Sequence, residues 1–395
     1  MTVIEFFDKD AIKNILAVLT LKPDKTVFLY DKELKNMEYF TSLERCFKAH
    51  IPDIKLEKYP VNIMDIDDIY KKTIRTIKKN GECIIELTGG SELMTIAGYK
   101  AGSEMDVDLI YTDITKSEIL YVNRGNISRK TVKLTLLDFI NAKGAALVGN
   151  SKAAPEPEMF ERVLDMCGVI FDNLEDWKVT CSFLQTVTAA ADKESLDIKA
   201  KTFIKHRNGQ SIYPDEHIMR EFQRNGFIKC LNITRNTTRF SFTSQQSKQY
   251  MINYGGWLEL FVYIKAKQTN AFSDIFLGAM IDWNVYDGVV AAHNEIDIIL
   301  SDGSMPVFIS CKLKDADTAA LNEVWIAKKR LGGWFSKSIV VAFGSEKGKN
   351  TGTYKRALDL GISILDKADI LSPDFGDRLV GCIRSYDLIK FKWKS

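Results

Sequence analysis

No stretch of the 395-residue chain approaches the ~18–20 uncharged apolar residues that a membrane-spanning helix needs, so no membrane partner is expected. The seven cysteines are scattered singly, without a CxxC pair. That spacing argues against a disulfide framework and a structural zinc site, and it fits a reducing cytoplasm. The opening MTVIEFFDKD turns acidic early and has no basic n-region, which argues against a secretory signal. A dominant charge sign is missing too: the net charge is only +2. The chain is therefore not coated with positive charge for tight nucleic-acid binding, although a local basic groove is enough to hold phosphates. Neither GxGxxG after the first strand nor the Walker A pattern occurs, so this is no ordinary dinucleotide or P-loop site. Internal repeats and low-complexity tracts are absent as well.

What is present is an ordinary globular composition, with 46% hydrophobic and 27% charged residues. At this length two or three domains are expected. The first part alternates short apolar runs with helix-period segments. Strands are predicted over 3–7, 26–30, 54–59, 83–87, 107–111 and 118–122, with helices over 10–20, 32–49 and 63–79. Such alternation implies a parallel sheet covered on both faces, ending in an antiparallel hairpin. A Gly- and Pro-containing boundary over 144–158 follows, then a helical stretch over 158–201. The segment EHIMREFQRNGFI and the alternating run after it suggest a winged-helix-like unit without a basic recognition helix, which favours a packing spacer. The organisation expected is an α/β chain with a Rossmann-like domain over 1–145, a helical and winged-helix-like segment over 146–248, and a second α/β domain over 249–395.

The last domain carries chemistry in two predicted strands, NEIDIIL (294–300) and FISCKL (308–313), joined across Asp302-Gly303, a strong hairpin signal. Side chains alternate faces along a strand, so Glu295 and Asp297 share one face and Ile296 and Ile298 the other. On the partner strand Ser310 and Lys312 share a face. The hairpin can bring Asp297 and Lys312 together. A carboxylate among apolar neighbours is costly unless paired or holding a metal, and hard oxygen ligands suit Mg²⁺ or Mn²⁺. Such a metal polarises a phosphoryl oxygen and activates water, while a lysine stabilises developing negative charge.

This pattern, with GGWLE before it, resembles the PD-(D/E)xK nucleases, the fold of restriction enzymes. The resemblance implies that Glu259 is the acid donated by a helix, Asp297 the metal-binding aspartate and Lys312 the lysine, so that Glu259, Glu295, Asp297, Ser310 and Lys312 form the catalytic set. The chain departs from the family at Ser310, where a second acid is usual. Glu295 on the same face, or Glu323 on the following helix, is left to supply it.

In the first domain the fourth strand runs into Thr88-Gly89-Gly90-Ser91-Glu92-Leu93-Met94. A Thr-Gly-Gly turn lets a ligand approach the backbone, and the following helix N-terminus offers N–H groups to phosphate or ribose oxygens. The turn resembles that of the CARF domain, the CRISPR-associated Rossmann fold. Together the two ends of the chain resemble the CRISPR ancillary nucleases that join a CARF domain to a PD-(D/E)xK domain. That resemblance implies a homodimer holding cyclic tetra-adenylate, or cyclic hexa-adenylate, across its two-fold axis. Thr88, Gly89, Gly90, Ser91 and Met94 match the family's ligand loop, with Asp8, Tyr30 and Thr112 as positional additions. It further implies ligand-dependent hydrolysis of DNA or RNA with Mn²⁺ or Mg²⁺ in antiviral defence. Two other readings stay open. One is a restriction or repair nuclease that needs no ligand; the other is a ligand-binding regulator whose nuclease domain is inactive.

Overall fold

The computed structural model describes residues 1–125, 127–205, 211–288, 293–344 and 352–384. The first domain alternates β1 (Thr2–Phe6), α1 (Ala11–Leu21), β2 (Lys25–Asp31), α2 (Glu38–Lys48), β3 (Lys55–Val61), α3 (Ile66–Asn80), β4 (Cys83–Glu86) and α4 (Glu92–Glu104). It then adds β5 (Asp108–Asp113), β6 (Glu118–Tyr121) and β7 (Ile127–Lys130). The sheet order is β3-β2-β1-β4-β5-β6-β7. Pairing is parallel from β3 through β5 and antiparallel across β5, β6 and β7. The edge is therefore β7, not the expected hairpin. Ile-Ser-Arg-Lys of β7 is exposed throughout and shows no buried alternation by which to find it. One face of the sheet buries Ile12, Leu16, Phe40 and Phe47, and the other Ile69, Ile77, Ala97 and Ala101. This is why the parallel strands read as continuous apolar runs. Helix α2 starts at Glu38 and not at residue 32, because the segment after β2 is a loop that the sequence reading absorbed into the helix.

After α5 (Leu136–Ala142) the chain enters β8 (Ala146–Asn150). The sequence reading assigned this stretch to the middle segment. In the fold it is the edge strand of the C-terminal sheet, paired antiparallel with a later strand at Ala279–Asp282. The expected single helical stretch over 158–201 is two helices and a strand: α6 (Phe160–Asp172), α7 (Leu174–Ala189) and β9 (Asp197–Lys201). There follow the short β10 (Ile204–Lys205) and β11 (Ser211–Ile212), then α8 (Glu216–Arg224), β12 (Ile228–Ile233), β13 (Thr237–Phe242) and α9 (Gln245–Met251). Strands β12, β13 and β9 form a winged-helix-like three-stranded sheet in that order.

The C-terminal part contains α10 (Gly256–Gln268), β14 (Asp274–Asp282), β15 (His293–Ser301), β16 (Pro306–Lys312), α11 (Thr318–Ala327), β17 (Lys337–Ala342), α12 (Gly352–Asp359), β18 (Ile362–Leu365), α13 (Lys367–Ile370) and α14 (Phe375–Arg384). Its sheet runs β18-β17-β16-β15-β14-β8. The middle segment shares a core with it: Trp177, Phe222, Phe227 and Trp257 pack edge-on or tilted at 5.4–6.3 Å. Burying these rings from both segments in one cluster binds the spacer to the nuclease-like domain.

One expectation fails in an informative way. Ile296 and Ile298 do not bury on one face: Ile298 packs with Leu277, whereas Ile296 packs with Ala279 and Ile281 in a different cluster. Opposite Asp297, the register partner position on β14 is Gly278, whose φ is +60°. This left-handed residue breaks the pleat, so the strands change the side they bury as they pass it. Among the described residues, no helix is long and apolar enough to cross a membrane.

Candidate functional site

Helix α10 and strands β15 and β16 converge on a cluster of acids. Glu259 lies in the first turn of α10, a helix buried on nearly every side. One oxygen each of Glu259, Glu295 and Asp297 lie within 4.8 Å of one another. Asp297 is 8% exposed. Its Oδ2 accepts a hydrogen bond from the Cys311 backbone N–H at 2.8 Å. On β16, Ser310 Oγ lies 3.3 Å and Lys312 Nζ 3.4 Å from the same Oδ2. Burial, then the neighbouring charge of Asp297, pushes the Glu259 carboxyl up to about 7. An all-oxygen set of three converging carboxylates, with Glu259 and Asp297 buried, fits a hard divalent cation.

Two further groups join this cluster: Lys152, which spacing along the chain does not reveal, and Glu323, the alternative candidate for the missing acid. Lys152, two residues past β8, places Nζ 2.7 Å from Glu259 Oε2 and 2.6 Å from Glu295 Oε1. Burial works against the charged lysine, but the two carboxylates outweigh it and hold its proton well above the usual range. Glu295 also accepts from Ser151 Oγ at 2.5 Å, and these contacts keep its carboxyl below the usual value despite burial. Gly278 makes room for this approach, since a Cβ there would lie 2.4 Å from Ser151 Oγ. The second group is Glu323 of α11, whose Oε2 is 3.2 Å from Ser310 Oγ and 3.3 Å from Lys312 Nζ. Beside the cluster lies a cavity of about 610 Å³ bordered by Lys152, Gln185, Gln249, Tyr250, Asn253 and Tyr254.

A second cavity, also about 610 Å³, opens at the carboxyl ends of β1, β2 and β4, where ligands sit in open α/β sheets. Asp8, Gly90, Ser91 and Met94 line it, as the sequence reading expected. Lys9, Lys35, Asn36 and Tyr39 line it as well and were not picked out. They fall in the loops after β1 and β2 and around the start of α2, where no motif marks them. Tyr30, Thr88, Gly89 and Thr112 are not part of this lining. The Tyr30 ring packs on Phe40 at 5.2 Å. Thr88 and Thr112 are drawn inward by the buried Glu86. Thr88 N donates to Glu86 Oε2 at 2.8 Å, Thr112 Oγ1 donates to Glu86 Oε1 at 3.0 Å, and Thr112 N donates to Thr88 Oγ1 at 2.7 Å. The threonines thus shape the loop from beneath. Ser91 caps α4, accepting from Met94 N at 3.4 Å.

The first domain and the C-terminal domain are joined beside the first cavity by two hydrogen bonds that involve backbone groups. Asp10, two residues after Asp8, accepts from the Trp334 N–H through Oδ2 at 2.8 Å. Lys143 Nζ, in the connection between α5 and β8, donates to the Lys9 carbonyl at 2.9 Å.

Solved structures share this architecture. Can2 from Sulfobacillus thermosulfidooxidans, in complex with cyclic tetra-adenylate, matches with a TM-score of 0.69 at 17% identity, over 97% of this chain and 99% of that one. Protein VC1899 from Vibrio cholerae matches with a TM-score of 0.73 at 15% identity, over 97% and 98%. A type III CRISPR defence DNA nuclease activated by cyclic oligoadenylate matches with a TM-score of 0.50 at 11% identity, over 87% of this chain and 45% of that one. At such identities the likeness is one of fold. No curated relative matches the chain. The family models are more specific: the Card1 CARF domain matches residues 3–139, and the Card1-like endonuclease domain matches residues 246–379. The chain therefore belongs to the CRISPR-associated nucleases that join a Card1-type CARF domain to a Card1-like endonuclease domain.

Proposed function

We propose that this protein is a metal-dependent nuclease that hydrolyses phosphodiester bonds of DNA or RNA when cyclic tetra-adenylate occupies its CARF domain. It acts as a cytoplasmic homodimer in type III CRISPR antiviral defence. The observation that carries the reading is the convergence of Glu259, Glu295 and Asp297 within 4.8 Å, with Lys312 3.4 Å from Asp297. Asp297, Glu259 and Glu295 would hold Mn²⁺ or Mg²⁺. When bound, such an ion polarises a phosphoryl oxygen and lowers the pKa of a coordinated water. Lys312 stabilises the negative charge that develops on the phosphate. The adjoining cavity, with its amides and tyrosines, receives the strand beside the scissile bond.

In the CARF domain, Lys9 and Lys35 meet the phosphates and Tyr39 offers a face to adenine. The likeness in fold to the cyclic tetra-adenylate complex of Can2 supports this ring size over cyclic hexa-adenylate. Ile96 and Tyr99, one turn apart on α4, are exposed apolar side chains, which supports pairing of two copies. A ring on the two-fold axis meets both copies alike. Ligand binding shifts the nuclease domains by differential affinity for two arrangements.

The test is cleavage of labelled single-stranded DNA and RNA with Mn²⁺, with and without cyclic tetra-adenylate, beside Asp297→Ala and Lys312→Ala. Cleavage that requires the ligand and disappears in both variants is expected. Cleavage without ligand overturns the switch, and absence of cleavage under every condition leaves a ligand-binding regulator.

A further inference from the structure

The carboxylate of Glu323 and that of Asp297 share the same two partners. Ser310 Oγ lies 3.2 Å from Glu323 Oε2 and 3.3 Å from Asp297 Oδ2, and Lys312 Nζ lies 3.3 Å and 3.4 Å from them. A hydroxyl has one proton, so Ser310 satisfies one acid at a time. Placing two like charges against one ammonium is unfavourable unless one acid keeps its proton or a further cation joins them. The wider cluster has the same imbalance: among the described residues, Glu259, Glu295, Asp297 and Glu323 form ion pairs with Lys152 and Lys312 alone. Fully ionised, this excess of two negative charges matches one divalent cation.

Glu323 is not a wandering surface side chain. Helix α11 is pinned by Ala320, Leu321, Val324 and Ala327 in the core, and by Asp317, which caps it by accepting from Ala320 N at 2.9 Å. Ser310 is buried at 1% exposure, and its small side chain leaves the space that the Glu323 carboxylate enters.

We infer that Glu323 is a catalytic carboxylate of this nuclease, a metal ligand delivered from α11 into the place where position 310 has only a hydroxyl. The inference rests on the nuclease reading above. It is tested by titrating Mn²⁺ calorimetrically into the wild type, Glu323→Gln, Ser310→Glu/Glu323→Gln and Asp297→Ala, with cleavage and Tm measured alongside. Glu323→Gln is expected to weaken Mn²⁺ binding by at least about tenfold with little change in Tm. The double variant, which moves the carboxylate back onto β16, is expected to regain most of the affinity and cleavage. Wild-type Mn²⁺ affinity in Glu323→Gln overturns the inference, as does a double variant that binds no better than Glu323→Gln. If Asp297→Ala also binds Mn²⁺ like the wild type, the nuclease-site reading itself fails.

Discussion

Asp10 of the CARF domain accepts a hydrogen bond from the backbone N–H of Trp334 in the endonuclease domain at 2.8 Å. Asp10 belongs to the loop that carries Asp8 and Lys9 along the ligand cavity. Trp334 follows the π-helical turn Lys328–Gly332 that continues α11, the helix bearing Glu323. On the proposed reading, a shift of the β1–α1 loop reaches α11 through this bond. Asp10→Ala is expected to bind cyclic tetra-adenylate within about threefold of the wild type while losing about tenfold in ligand-stimulated cleavage, within the usual span of coupling energies. Calorimetry and cleavage assays on the same preparation check this, and unchanged stimulation would remove Asp10 from the coupling.

If Glu259 and Glu295 hold a metal as proposed, Lys152 competes with it, because its ammonium stands 2.6–2.7 Å from both. Replacing it by methionine keeps the apolar stem and removes the rival charge. Lys152→Met should bind Mn²⁺ about tenfold more tightly, equivalent to ~1.4 kcal/mol. Weaker binding would show instead that the lysine helps to build the site.

The Glu259 carboxyl, pushed up to about 7 by burial and by Asp297, must lose its proton before it can ligate. Mn²⁺ affinity should rise with pH below about 7, by up to about tenfold per unit, and level off above it. A flat profile between pH 6 and 8 would contradict the role given to Glu259.

Glu5 and Glu86 are register neighbours in the middle of the CARF sheet, both fully buried, and neither oxygen of Glu5 has a hydrogen-bond partner. Burial, with mutual repulsion for Glu5, raises both carboxyls. A folded pKa above the unfolded value means that the native state binds more protons. Stability is therefore present at acid pH and is lost as pH rises from about 4.5 through about 7, where Glu86 titrates. Glu5→Gln, which cannot ionise, should match the wild type near pH 4.5 and exceed its Tm at pH 8 by on the order of 5 °C. Thermal melts across pH decide it.

Gly90 sits at φ +78°, and a Cβ there would lie 2.7 Å from the Phe6 Cβ. Gly90→Ala must move the loop off β1 and is expected to cost at least ~1 kcal/mol of stability. Ligand affinity should fall with it. A melt and a binding isotherm equal to the wild type's would mean that the loop has slack.

The chain's local patterns alone determined the alternating elements of the first domain, the hairpin of β15 and β16, and the side-chain set Glu295, Asp297 and Lys312. These depend on period-2 alternation and turn chemistry within a few residues. Gly90, Ser91 and Met94 were legible for the same reason, because a strand-turn-helix junction is local. Tertiary structure decided what no spacing encodes. Lys152 reaches Glu259 and Glu295 because β8 crosses to the far edge of another domain's sheet, and Glu323 meets Ser310 because α11 folds back over β16. Thr88 and Thr112 turned inward because the buried Glu86 needs donors, a demand visible only once β4 and β5 are paired. The split burial of Ile296 and Ile298 came from a glycine on the neighbouring strand. In each case the deciding partner lies on another element, which periodicity within one element does not encode.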